Sequence, residues 1–170
     1  MKNLLILLFS LFTGSLVAQA DAVTKFFKSY VDDDRFSTVY ISPKMFQLVS
    51  KIKINDMDAD LQQLLKNIQG LHILSTHVSP KTFYKEAVSK INTKEYEELM
   101  KVRDEGEDVL FLTKTDATGN KITELLMLVG GEDEFSLISF VGDLDLEKIG
   151  RLGKSLNIDG SEHLEKLKKN

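Results

Sequence analysis

Metal, nucleophilic and acid–base chemistry each need particular residues at particular spacings, and few stretches of this chain come near them. Asp56-Met57-Asp58-Ala59-Asp60 matches the first five positions of a calcium loop of the EF-hand type. Its sixth position, where the sharp turn needs Gly, is Leu61, and its twelfth, where a bidentate Glu closes the shell, is Asn67. Carboxylates that open a helix and complement its dipole account better for this stretch. Asp32-Asp33-Asp34 and the trio Asp143, Asp145 and Glu147 read as loops and caps in the same way. His72 and His77 stand five apart on or just past a strand, which puts them on opposite faces, and His163 lies in the tail. No two of them are placed to share a metal.

Gly130-Gly131-Glu132-Asp133-Glu134-Phe135 is similar to the Gly-Gly-Asp-Glu-Phe signature of diguanylate cyclases, but an extra acidic residue splits it. Leu128 and Val129 precede it instead of a basic residue, so a hairpin loop in which Gly supplies a positive φ is the expected reading. No Gly-x-Ser-x-Gly elbow occurs. The 26 acidic residues are scattered, and nothing singles out a pair for glycosidase chemistry. The chain has no cysteine, which removes thiolate catalysis, Cys-bound zinc, disulfides and the acylated Cys of a lipoprotein. The expectation is a non-enzymatic protein with no catalytic residue, cofactor or metal.

The first residues say where it works. Lys2, the apolar run Leu4 to Phe12 and the Ala18-Gln19-Ala20 site form a secretory signal peptide over 1–20, too short and too broken by Ser10, Thr13, Gly14 and Ser15 for a membrane span. The mature chain of about 150 residues suits one domain, expected over 21–156, followed by a charged tail over 157–170. Without Lys2, the 22 basic residues become 21 against 26 acidic ones, a net charge of −5. That balance disfavours nucleic acid as a partner, and no further stretch is long enough to cross a bilayer. A periplasmic or cell-envelope location follows.

The elements that must position any site are legible in the apolar spacing. Val23, Phe26, Phe27 and Tyr30 mark one stripe of a helix, and Phe36 to Ile41 reads as a strand. Ser42-Pro43 opens a helix with Met45, Phe46, Val49 and Ile52 on its buried side. A helix with Leu61, Leu64, Leu65 and Ile68 closes at Gly70 as a C-cap, and Leu71 to Ser75 is the next strand. Ser79-Pro80 repeats the start signal before Phe83, Tyr84, Ala87, Val88 and Ile91, and segments 39–52 and 76–91 resemble each other. From Tyr96 onward the chain reads as hairpins: Leu99 to Arg103, Val109 to Lys114, and the pair within Lys121 to Val141, KITELLMLVGGEDEFSLISFV. Asp143 or Asp145 then caps a helix carrying Leu146, Ile149, Leu152 and Leu156. The expected fold is α+β: a mixed, mainly antiparallel sheet of about five or six strands, the first two of them parallel, with helices chiefly on one face.

TVYIS followed by PKMF, then LHILS, EYEELMKV, KITELLMLVGG and FSLISFVGDLDLEKI, behind a signal peptide, resemble the bacterial domain of unknown function family 4252 (DUF4252) over nearly the whole mature chain. These words are apolar and structural. The resemblance implies an exported envelope protein of Gram-negative bacteria, carries over no activity, cofactor or catalytic residue, and suggests an envelope-stress or regulatory setting through neighbouring extracytoplasmic-function sigma factors.

Leu125 to Val129 is apolar on both faces, so one face is expected to be closed by something other than the main helix layer. With Val129 paired to Phe135, that face would carry Leu126, Leu128, Ile138 and Phe140, the candidate interaction face toward an unidentified envelope protein or a second copy. The function expected is a binding or protein-interaction module. The alternative is a carrier of a small apolar ligand held between sheet and helices and lined by Phe26, Phe27, Phe83 and Tyr84.

Overall fold

The computed structural model describes residues 22–52, 59–91, 95–104 and 106–155. The signal-peptide stretch, Asp56 and Asp58, Leu156, His163 and the charged tail lie outside the described residues. The elements run α1 (Ala22–Tyr30), β1 (Ser37–Ile41), α2 (Pro43–Val49), α3 (Ala59–Asn67), β2 (Ile68–Thr76), α4 (Pro80–Lys90), β3 (Glu97–Asp104), β4 (Glu107–Thr115), β5 (Ile122–Gly130), β6 (Phe135–Leu144) and α5 (Leu146–Ser155). The fold is α+β, with one six-stranded sheet in the order β1-β2-β6-β5-β4-β3.

Every strand pair is antiparallel, β1 with β2 included, where a parallel pair was expected. Two helices stand in the connection, so the chain re-enters the sheet from the end it left, and Ile41 meets Leu71 near the start of β2. From β3 to β6 the sheet is a meander built from short turns. Gly106 and Gly119 supply the left-handed positions in the first two of them, at φ +89° and +72°.

The helices lie on both faces of the sheet rather than chiefly on one. On one face α2, α3 and α5 bring Phe46, Leu64, Leu65, Ile149 and Leu152 onto Leu71, Phe111, Leu125, Met127, Ile138 and Phe140. On the other, α1 and α4 bring Val23, Phe26, Phe27, Phe83 and Ala87 onto Leu74, Leu112, Leu126, Leu128, Phe135 and Leu137. The physical reason is the one that marked β5 as internal: a strand apolar on both faces needs cover on both. The cover comes from the chain itself.

Local signals explain most element ends. Ser42 caps α2, its hydroxyl accepting from the Met45 amide at 3.4 Å, with Pro43 at the first helical position. Asp145, not Asp143, caps α5, accepting from the Lys148 amide at 3.2 Å. Ser79 starts α4 differently: it sits in the left-handed region and its side chain caps nothing. Gly70 is no C-cap, because α3 ends at Asn67 and β2 begins at the next residue, with a bulge between Ile68 and Gly70. Gly142, at φ +151°, makes that direct junction possible, since a Cβ there would lie 2.3 Å from the Asn67 carbonyl oxygen.

Candidate interaction surface

The hairpin register decides what faces where. Gly130 pairs with Phe135 and Val129 with Ser136, one residue away from the expected pairing of Val129 with Phe135. A slip of one residue exchanges the faces of a whole strand. Leu126 and Leu128 therefore lie on the α1 and α4 side, and Ile138 and Phe140 on the α2, α3 and α5 side. All four are buried beneath the chain's own helices, so they form no common face and present no surface. Gly130 has no left-handed φ either; its role is space, since a Cβ there would sit 2.3 Å from the Tyr84 ring.

The other stretches weighed for chemistry are tied into the fold. Asp60 opens α3 and pairs with Lys148 on α5 at 3.3 Å. In the 131–134 turn the Gly131 amide donates to the Glu134 carbonyl, Glu132 pairs with Lys81, and the Asp133 carbonyl contacts His77 Nδ1. His72 lies elsewhere, between the rings of Tyr40 and Phe27, at 4.9 and 5.0 Å. Phe26 meets Phe135, and Phe36, Phe83 and Tyr30 pack on one another at 4.7 to 5.4 Å, so these aromatics are in contact with each other and with the sheet.

One polar cluster went unnoticed in the residue pattern. Glu124, only 5% exposed on β5, accepts from the Tyr96 hydroxyl at 3.0 Å and the Ser139 hydroxyl at 2.9 Å. Lys114 on β4 stands 3.7 Å from the same carboxylate, 3.3 Å from Glu95 and 4.3 Å above the Tyr96 ring. The signal was there: Glu124 is the one charge inside the apolar run ITELLMLVG. Chemically this is a clamp across three strands. Ser139 donates straight to the Glu124 carboxylate, which ties β6 to β5.

The surface that stands out lies at the β1 edge. Among the described residues the large exposed apolar side chains are Val31, Val39, Tyr40, Met45, Leu48, Ile52 and Val78, and five of the seven fall between positions 39 and 52. Met45, Leu48 and Ile52 repeat at i, i+3 and i+7, a stripe along α2 and the turn after it. Val39, 43% exposed, pairs with Ile73, whose side chain belongs to the α2 side of the sheet, so strand and stripe share a face. Tyr40 points to the other face and stacks on His72.

The two sheet edges contrast. β3 carries Glu97, Glu98, Lys101, Arg103 and Asp104, the charges that discourage edge pairing. β1, Ser-Thr-Val-Tyr-Ile, carries none. Acidic and basic groups flank it instead. Asp32 and Asp34 are exposed before it, beside Asp33, whose carboxyl the Arg35 guanidinium holds down at about 2. Lys44 is exposed after it.

A family model described as Domain of unknown function (DUF4252) matches residues 30–152. The chain belongs to DUF4252. The matched region of this DUF4252 chain spans the edge strand, the α2 stripe, the Glu124 clamp and all six strands. No curated protein and no solved structure matches the chain. No helix among the described residues is long and apolar enough to cross a membrane.

Proposed function

We propose that this DUF4252 chain is an exported, non-enzymatic protein-interaction module of the bacterial envelope, and that it binds through the β1 edge and the α2 stripe. The single observation behind the reading is the concentration of exposed apolar side chains on an uncharged edge strand and the helix that follows it. An edge strand offers unpaired backbone donors and acceptors, and neighbouring apolar residues supply the area that makes such pairing stable. The aromatic residues of α1 and α4 pack on one another and on the sheet, which favours the surface over a carrier of small apolar ligands.

Export rests on the leader at 1–20, with cleavage after Ala20. An envelope-stress setting fits a module of this kind. The test is crosslinking of tagged protein in the periplasm, followed by intact mass and by comparison with Val39→Lys and Leu48→Asp. The protein should begin at Asp21, crosslink specifically, and lose those crosslinks in both variants while its melting temperature is kept. Crosslinks unchanged in both variants, or a periplasmic protein that retains Met1, would overturn the reading.

A further inference from the structure

We infer that the partner at the β1 edge is a second copy of this chain, its β1 paired antiparallel with the first about a two-fold axis at Val39, so that two six-stranded sheets continue as one. The inference rests on the interaction reading above and names its partner.

Backbone geometry restricts the pairing. In an antiparallel ladder the residues that point their N–H and C=O outward must face residues that do the same, so a strand pairing with its own copy has its axis at a residue, not between two. Of the axes available in Ser37–Ile41, the one at Val39 pairs all five residues: Ser37 with Ile41, Thr38 with Tyr40, and Val39 with itself. Opposed residues in a ladder share a face, so the α2 helices of both copies, with their exposed Met45, Leu48 and Ile52, come to the same side.

Charge selects the direction. The chain entering β1 carries Asp32, Asp33 and Asp34 against the single basic Arg35, which pairs with Asp33, so it is net acidic, and the chain leaving it carries Lys44. Antiparallel pairing brings each copy's acidic end toward the end of the other's strand where Lys44 opens α2. Parallel pairing would put like beside like. Nothing within β1 opposes the contact, since its five residues are uncharged, whereas two β3 edges would meet with five charges each.

The absence of cysteine makes the test clean. Across the axis the two Val39 Cβ atoms would lie about 4.5–5.5 Å apart, near the reach of a disulfide. Val39→Cys in the full exported chain should oxidise to a covalent dimer under mild conditions, while Val78→Cys, a substitution at another exposed valine, should stay monomeric. By sedimentation, the parent should dimerise reversibly, Val39→Lys should weaken the dimer at least about tenfold through like charges at the axis, and Lys44→Asp should weaken it too. Joining Lys44→Asp with Asp34→Lys should restore it.

A parent that stays monomeric into the high micromolar range, or a Val39→Lys variant that dimerises as the parent does, would overturn the self-pairing. If such a monomer still loses its periplasmic crosslinks on Val39→Lys, the edge serves a different protein and only the second-copy inference fails. If it forms no crosslinks at all, the interaction reading fails with it.

Discussion

At Gly130 the missing side chain is what lets α4 lie on the sheet, because an alanine Cβ would come within 2.6 Å of three Tyr84 atoms. Gly130→Ala should cost roughly 1–3 kcal/mol by overpacking. Placed in a Tyr84→Ala background, the same change should cost less, and the difference in urea midpoints measures the coupling. Equal costs in both backgrounds would mean that another neighbour sets the limit. Tyr30 is a second residue whose behaviour can be stated in advance. Its phenol is pushed up to about 12, by burial first and then by its hydrogen bond to Glu86. The folded chain holds this proton more tightly than the unfolded one, so its stabilising contribution is complete below about pH 10 and is lost as pH rises from there toward 12. The Glu86 carboxyl runs the other way. Lys90 first, and Tyr30 second, hold it below the ordinary range, so its contribution is present above that range and lost in acid. Tyr30→Phe should lower stability by ~1 kcal/mol at neutral pH and should show a shallower alkaline decline than the parent in melts between pH 9 and 12. A decline of equal slope would mean that the phenol contributes nothing to it.

At the level of elements, the two layers of helices predict sharply different responses from residues of the same type. Leu126, fully buried under α1 and α4, should cost about 2–5 kcal/mol when cut to Ala. Leu48, half exposed on α2, should change stability by no more than about 0.5 kcal/mol. Chemical denaturation of both variants checks the contrast, and similar losses would mean that Leu48 is covered in the isolated protein. Spacing made the elements legible: the i, i+3, i+4 stripes of α1 and α4, the Ser42-Pro43 start, and the doubly apolar β5 and β6 all stand in the structure as read. The surface was not legible from the same pattern, for two physical reasons. A hairpin loop can shift register by one residue without changing composition, and that shift separated Leu126 and Leu128 from Ile138 and Phe140. Strand order depends on contacts remote in sequence, so nothing in Ser-Thr-Val-Tyr-Ile announced that β1 would be an edge while the equally apolar β6 would be central. Only Met45 and Ile52, assigned to a buried side and found exposed, register the consequence along α2.

Across the whole molecule, the order β1-β2-β6-β5-β4-β3 divides the sheet by how its parts find each other. The four strands from β3 to β6 close by successive short turns, whereas β2 must pair with β6, the last strand made, as in Leu71 with Phe140. Non-local pairing of this kind is the slow part of folding, because the loop must be closed before any contact rewards it. Because synthesis runs from the N-terminus, β2 emerges long before the strand that will hold it. Its buried positions Leu71 and Leu74 then have to wait, with β1 as their one sheet neighbour. The β1 edge, proposed above as the interaction surface, is thus attached through the last-formed seam of the sheet, so any pairing at that edge has to follow the arrival of β6.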